Sequence, residues 1–307
     1  MGTKISALPN STALTGAELI PVVQGGVTKH ATLSSVAFTG GSSVDGSLSQ
    51  SSVLSNVGYY DFDSMNVSAP LSIPPATIIR INGDATLSST LTVNMRTLLS
   101  SISASYENSM IELMGGIFGN DGEVAGSIGG GGGSIGAGTA GGSGAGGAAK
   151  DISAMFRAFA SKSHGMLLGG NGGGGSNGAS GGDFGRGGGA LVLIVDGNCN
   201  FTGGTITANG GMNNNLGPGG ATPGGGAGGS ITIICTGTLT GGTFTTTAGY
   251  NSNINAGAGA GGFIQLVASA FAGTQTTSVV GALSAGAGAV KTYGGLTASQ
   301  IRRLIQR

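Results

Sequence analysis

Gly187–Val195 reads GGGALVLIV, and Phe201–Gly210, just beyond it, reads FTGGTITANG. The same order of phrases returns at Gly226–Ile234 (GAGGSITII) with Leu239–Thr245 (LTGGTFT). Its first half returns again at Gly259–Val267 (GAGGFIQLV). Each unit is a glycine run, a short apolar strand, a turn and a second strand of alternating polarity. Recurrence at roughly 33 to 40 residues is what a stacked array produces, because no single unit can cover its own apolar face. Working outward, Ile78–Leu87 and Thr90–Asn94 echo Ile194–Phe201 and Thr205–Asn209. An earlier coil of the same architecture is therefore expected, with the glycine-rich region inserted into it or expanded from it. The expected fold is mainly β: elongated β-solenoid-like repeats with glycine-rich extended, polyglycine-II-like segments.

From Gly115 to Gly147 almost no side chain is able to build a core. Glycine loses more backbone freedom on ordering than any other residue, so such a segment orders only if its amides and carbonyls find partners. Extended threefold helices packed side by side would supply them, with glycine required wherever backbones touch. The runs are not strict triplets, which excludes collagen itself. A flexible Gly/Ser spacer over residues 126–149 is the alternative.

Bulk composition agrees with a repetitive β-structure. Only 8% of the 307 residues are charged, 5% are aromatic and 67 are glycine. A close-packed globular core needs larger side chains than these, while disordered chains are more charged and less hydrophobic. Formal net charge is zero and no basic cluster exceeds Arg302-Arg303, so nucleic acid is not an expected partner. No run of about 18 apolar residues suggests membrane insertion. Met1–Ser6 lacks the apolar core of a signal peptide; Ser6 sits where a myristoylation motif for Gly2 places its hydroxyl. Spacing does not pair Cys199 with Cys235, and a reduced, cytoplasmic origin is the simpler reading.

Near the start, Pro9 and Pro21 hold their neighbours extended, and Gln24-Gly25-Gly26-Val27 reads as a hairpin turn. The phrases KISALP (Lys4–Pro9), LTGAELIPVVQ (Leu14–Gln24) and GVTK (Gly26–Lys29) resemble the N-terminal segment of bacteriophage fibre proteins. That resemblance covers about an eighth of the chain. It implies a virion structural protein, assembled in the host cytoplasm and docked on tail, portal or capsid proteins through this segment. The implied anchoring residues are Ile5, Leu8, Pro9, Leu14, Glu18, Leu19, Ile20, Pro21, Val22 and Gln24. By the same resemblance a homotrimer is expected, and attachment on the tail or on the head stays open.

The expected organisation is an anchor (1–38), a Ser/Gly-rich linker (39–58) and a first β-repeat region (59–114). A glycine-rich region with a short helix (115–189), a β-repeat body (190–290) and a C-terminal helix (291–307) follow. The period of Met95–Met114 is ambiguous between strand and helix. Ile152, Met155, Phe156 and Phe159 fall at helical spacing behind Asp151, predicting an amphipathic helix over about 151–162. Thr297-Ala298-Ser299-Gln300 matches a capping box for a second helix over about 298–306. Its apolar edge, Ile301, Leu304 and Ile305, suits either contact with another copy or docking on its own chain.

Catalytic motifs fail on context. Three glycine-rich matches to the nucleophile elbow (around Ser134, Ser176 and Ser180) lack a strand before and a helix after. Gly136–Gly141 satisfies the dinucleotide fingerprint but lacks the same setting and the acidic residue. Glycan-cleaving spikes need two carboxylates across a glycosidic bond. The sequence candidates are Asp61 with Asp63, which share a strand face, and Asp121 with Glu123, which read as a turn. The repeats carry few acids, so the expectation is a protein without catalytic residues. Two histidines far apart and cysteines outside CxxC spacing predict no metal site, and no cofactor is expected.

Binding is the stronger reading. Insertions between repeats emerge as loops on one side of a rigid array. Phe184 and Arg186, Met212 with Asn213, Asn214 and Asn215, and Tyr250 with Asn251 and Asn253 combine aromatic or apolar anchors with amides. That mixture suits a host-surface glycan or an outer-membrane protein. The expectation is a non-enzymatic fibre subunit that attaches to the host, with a head fibre or decoration protein and a polysaccharide-degrading tailspike as alternatives.

Overall fold

A computed structural model describes residues 19–24, 27–32, 46–49, 52, 54, 57–96, 117–122, 132–134, 136–140, 145–149, 166–171, 185–211, 224–249 and 256–305. The fold is mainly β, and its large sheets are parallel. At the N-terminal end, β1 (Leu19–Gln24) and β2 (Val27–Thr32) pair antiparallel as a two-stranded sheet, with Gln24 opposite Val27.

The body is made of repeated passes. After β3 (Ser47–Ser49), the first pass runs through β4 (Gly58–Phe62), β5 (Ser64–Val67) and β6 (Leu71–Ile73). The second runs through β7 (Ala76–Ile81), β8 (Ala85–Leu87) and β9 (Thr90–Val93). A short parallel pair follows, β10 (Ile117–Phe118) with β11 (Leu167–Leu168). The third pass is β12 (Ala190–Val195), β13 (Cys199–Asn200) and β14 (Thr205–Thr207). Next come β15 (Ser230–Thr240) with β16 (Thr243–Thr245), β17 (Phe263–Ala272) with β18 (Thr276–Ser278), and finally β19 (Ala289–Tyr293).

Equivalent strands stack in parallel. The first strands pair in the order β4, β7, β12, β15, β17, β19. The second positions pair in the order β3, β5, β8, β13 and then the far halves of β15 and β17. Because β15 and β17 run through the corner, these two ladders form one ten-stranded sheet. The third positions, β6, β9, β14, β16 and β18, form a five-stranded sheet. The repeated phrases lie in register, Ala190 against Ser230 and Ser230 against Phe263. The earlier echo falls beside them, Ile81 against Val195 and Leu91 against Ile206.

Parallel strands covered on both faces read as continuous apolar runs, and β12 is buried at all six positions. Leu191, Leu193 and Val195 face the core between the sheets, with Phe201 and Phe244 (ring centroids 6.3 Å apart) filling its far side. Ala190, Val192 and Ile194 face outward, under Met166, Leu168 and Ile301. The Thr-Gly-Gly-Thr phrases turn the corner between second and third strands. Gly203 and Gly241 hold φ of 77° and 62° there, a region costly to residues with a Cβ.

One expectation changes, and two alternatives left open are decided among the described residues. The Ser/Gly-rich stretch 39–58 is not all linker: β3 pairs with β5 and Leu48 is fully buried in the core. One apolar side chain in a polar stretch carries no period, which is why it reads as linker. The described residues of 126–149 do not form a flexible spacer, since Gly132, Gly133 and Gly138 all donate backbone hydrogen bonds to other segments. The helix α1 (Ala298–Ile305) forms with its reciprocal cap: Thr297 N–H donates to Gln300 Oε1 (2.8 Å) and Gln300 N–H to Thr297 Oγ1 (3.2 Å). Ile301, however, is fully buried in its own chain beside Ile234 and Val267, so it is not an exposed contact for a second copy. Leu304 is half-buried, and the side chain of Ile305 and the helix expected over 151–162 lie outside the described residues.

Candidate functional site: the loop-stem end of the glycine segments

Glycine segments lead into and out of the strands at one end of the ladders. Residues 185–189, 224–229 and 256–262 run into β12, β15 and β17, while 208–211 and 246–249 leave β14 and β16. They touch backbone to backbone. The segment 224–229 is hydrogen-bonded, among the described residues, to six others: 132–134, 166–171, 185–189, 208–211, 246–249 and 256–262.

Its bonds repeat every third residue. Gly225 N–H donates to Gly257 O (2.8 Å) and Gly228 N–H to Ala260 O (2.8 Å). Gly226 N–H donates to Gly211 O (3.2 Å), Gly229 N–H to Ala208 O (2.9 Å), and Ala227 N–H to Gly170 O (2.9 Å). A step of three along the donor moves the acceptor by three along the same neighbour. Glycine is required at two of these positions: a Cβ on Gly226 would collide with the Arg186 carbonyl, and one on Gly228 with that of Thr246.

This lattice clamps the stems of the three insertions that carry the candidate binding residues. Gly211 N–H donates to Arg186 O (2.7 Å), Gly185 N–H to Gly224 O (3.1 Å) and Gly249 N–H to Gly226 O (2.9 Å). The described residues that follow 172–184 and those on either side of 212–223 and 250–255 are thus tied to one another. Arg186 is exposed and at this end, with its carbonyl inside the lattice. Phe184, Met212, Asn213, Asn214, Asn215, Tyr250, Asn251 and Asn253 lie outside the described residues. Of the anchoring set, Leu19, Ile20, Pro21, Val22 and Gln24 lie in β1; Ile5, Leu8, Pro9, Leu14 and Glu18 lie outside the described residues.

Two of the four carboxylates considered for hydrolysis, Asp61 and Asp121, are engaged in holding the fold. Asp61 is 3% exposed and accepts from Asn82 Nδ2 at 2.8 Å, while Asn82 Oδ1 accepts from Arg80 Nε at 3.3 Å. Burial, and then the Asp61 charge, push the neighbouring Tyr59 phenol above its ordinary pKa. Asp63 is exposed at the end of β4. Asp121 accepts from Arg96 (3.1 Å) and from Asn171 N–H (2.8 Å). Glu123 and Asp183 lie outside the described residues. No group of three or more potential metal ligands occurs among the described residues, and none of their helices is long and apolar enough to cross a membrane.

Sequence reading missed a buried staple. Arg96 is 4% exposed, donates to Asp121 and to Gly169 O (3.1 Å), and lies 4.6 Å from the Phe118 ring centroid. Burial lowers its pKa while Asp121 opposes that. Asn171 completes the cluster, its Oδ1 accepting from Gly187 N–H at 2.8 Å. Three polar residues scattered over 75 positions leave no local pattern; the one sequence signal is an isolated arginine after a β-strand phrase.

No protein-family model, curated protein or solved structure matches the chain.

Proposed function

We propose that the chain is a non-enzymatic fibre subunit of a bacteriophage particle, held to the virion by its N-terminal segment and attaching to the host surface through the loops at its glycine-segment end. The observation that carries this reading is the six-neighbour bonding of residues 224–229, which ties together the described residues flanking three polar insertions, two of them with an aromatic residue (Phe184, Tyr250) and one with Met212. A rigid frame lowers the ordering cost of binding. Loops on several copies then sum weak contacts by avidity. A soluble enzyme would use a concave site with converging acid–base groups, whereas Asp61 and Asp121 are tied up in structural hydrogen bonds.

In this reading the parallel ladders are the coils of a β-solenoid, and the glycine segments are a polyglycine-II-type bundle. The virion-side partners are tail, portal or capsid proteins. The host-side partner is a surface glycan or outer-membrane protein. The working unit is a homotrimer, assembled in the host cytoplasm and carried on the virion. The test is competition: purified full-length chain should block adsorption of the particle to its host, and replacing Met212–Asn215 with Gly-Ser repeats should abolish the block without altering the circular dichroism spectrum. Binding to capsids but not to cells would overturn it in favour of a head decoration. Oligosaccharide released from host capsule would overturn the non-enzymatic reading.

A further inference from the structure

Two thiols that no spacing rule pairs meet inside the stack. Cys199 lies in β13, and Cys235 lies in β15 one pass later. Cys235 stands beside Val195, and Cys199 beside Leu239. The pair therefore sits diagonally across the same corner of consecutive passes. Both are fully buried in one apolar cluster, and both are free thiols. Cys235 Sγ donates to Gly197 O at 3.0 Å, two residues before Cys199 in the chain.

We propose that Cys199 and Cys235 are a latent disulfide, a covalent staple between the β12–β14 pass and the β15–β16 pass that closes by exchange with a low-molecular-weight disulfide. The Cys235 thiolate attacks one sulfur of the small disulfide. A mixed disulfide forms, and one small thiolate leaves and takes up a proton. Cys199, deprotonated in turn, attacks the Cys235 sulfur, and the second small thiol departs. Two protein thiols are oxidised to one disulfide, and one small disulfide is reduced to two thiols. The order follows from the surroundings: the neighbouring Cys199 side chain holds the Cys235 thiol below its ordinary pKa against the pull of burial, whereas burial raises Cys199. The thiolate is the attacking form, so Cys235 reacts first. Closing the bond ties together passes otherwise joined by backbone ladders and side-chain packing, which restricts opening of the stack. The inference does not rest on the attachment reading.

The test uses the full chain, purified under reductant and then incubated with oxidised glutathione, in buffer and in sub-denaturing urea where the stack opens transiently. After denaturing alkylation, mass spectrometry should find a Cys199–Cys235 cross-linked peptide and loss of both alkylatable thiols. The thermal midpoint should rise by several degrees and fall back on reduction. Cys199→Ala and Cys235→Ala should show neither the link nor the rise. Full alkylation of both cysteines in both arms, or reaction that stops at glutathione adducts, would overturn the proposal. A link that leaves the midpoint unchanged or lower would overturn the stapling role.

Discussion

Arg302 reaches Asp196 through two hydrogen bonds, Nε at 3.0 Å and Nη2 at 2.7 Å, joining α1 to the turn after β12. Thr236 Oγ1 donates to the same carboxylate oxygen at 3.0 Å. Burial pushes the Asp196 carboxyl up, but the bonds from Arg302 and Thr236 together outweigh it and hold its pKa below the ordinary value. A depressed folded pKa contributes stability above the unfolded value, about 3.9, and loses it as pH falls through the folded one. Amide exchange across residues 298–305 should therefore quicken below about pH 4, once exchange is corrected for intrinsic pH dependence. Asp196→Asn should quicken it already at neutral pH. Identical protection at pH 7 and pH 3 would contradict this.

Ile301 is the apolar half of the same docking. It is fully buried against the outward side of the ladders, so Ile301→Ala should cost about 2–5 kcal/mol of helix docking. The loss should show as local exchange over 298–305 before global unfolding, because a terminal helix can open alone.

The glycine lattice makes a paired prediction. Gly228→Ala places a methyl against the Thr246 carbonyl, and Gly226→Ala against that of Arg186. Each should destabilise by about 1–3 kcal/mol, the range for overpacking, in chemical denaturation. Gly58→Ala meets nothing within 4 Å and should stay within about 0.5 kcal/mol of wild type. Equal effects at the three sites would show that glycine there serves something other than close approach.

Amides of Gly225, Gly226, Ala227, Gly228 and Gly229 all donate to other segments. These five should exchange as slowly as those of β12, although they carry no large side chains themselves. Fast exchange at 225–229 with slow exchange at 190–195 would separate the lattice from the ladders.

Arg96→Leu removes the donor to Asp121 and Gly169 O and leaves the Asp121 carboxylate without its cation. Breaking a buried pair in this way costs about 3–5 kcal/mol, an upper figure here because Asp121 is 40% exposed. Arg96→Lys should recover only part of it, since an ammonium does not reproduce the guanidinium's fork of donors. Denaturation midpoints of the two variants provide the comparison.

What the chain's own order of residues determined is the ladder system. Leu191, Leu193 and Val195 alternate with Val192 and Ile194 in a run apolar on both faces, and that run recurs with its glycine prefix and its Thr-Gly-Gly-Thr corner. Side chains record burial, so a periodic burial pattern is readable in one dimension. The cap of α1 was readable for the same reason, being a contact over three residues. Tertiary structure alone decided which backbone each glycine meets, that Leu48 joins the core, that Ile301 turns inward, and that Arg96, Asp121 and Asn171 come together. A glycine carries no side chain in which a neighbour could leave a trace, and a contact across 50 or 100 residues has no period; both exist only once the passes have stacked.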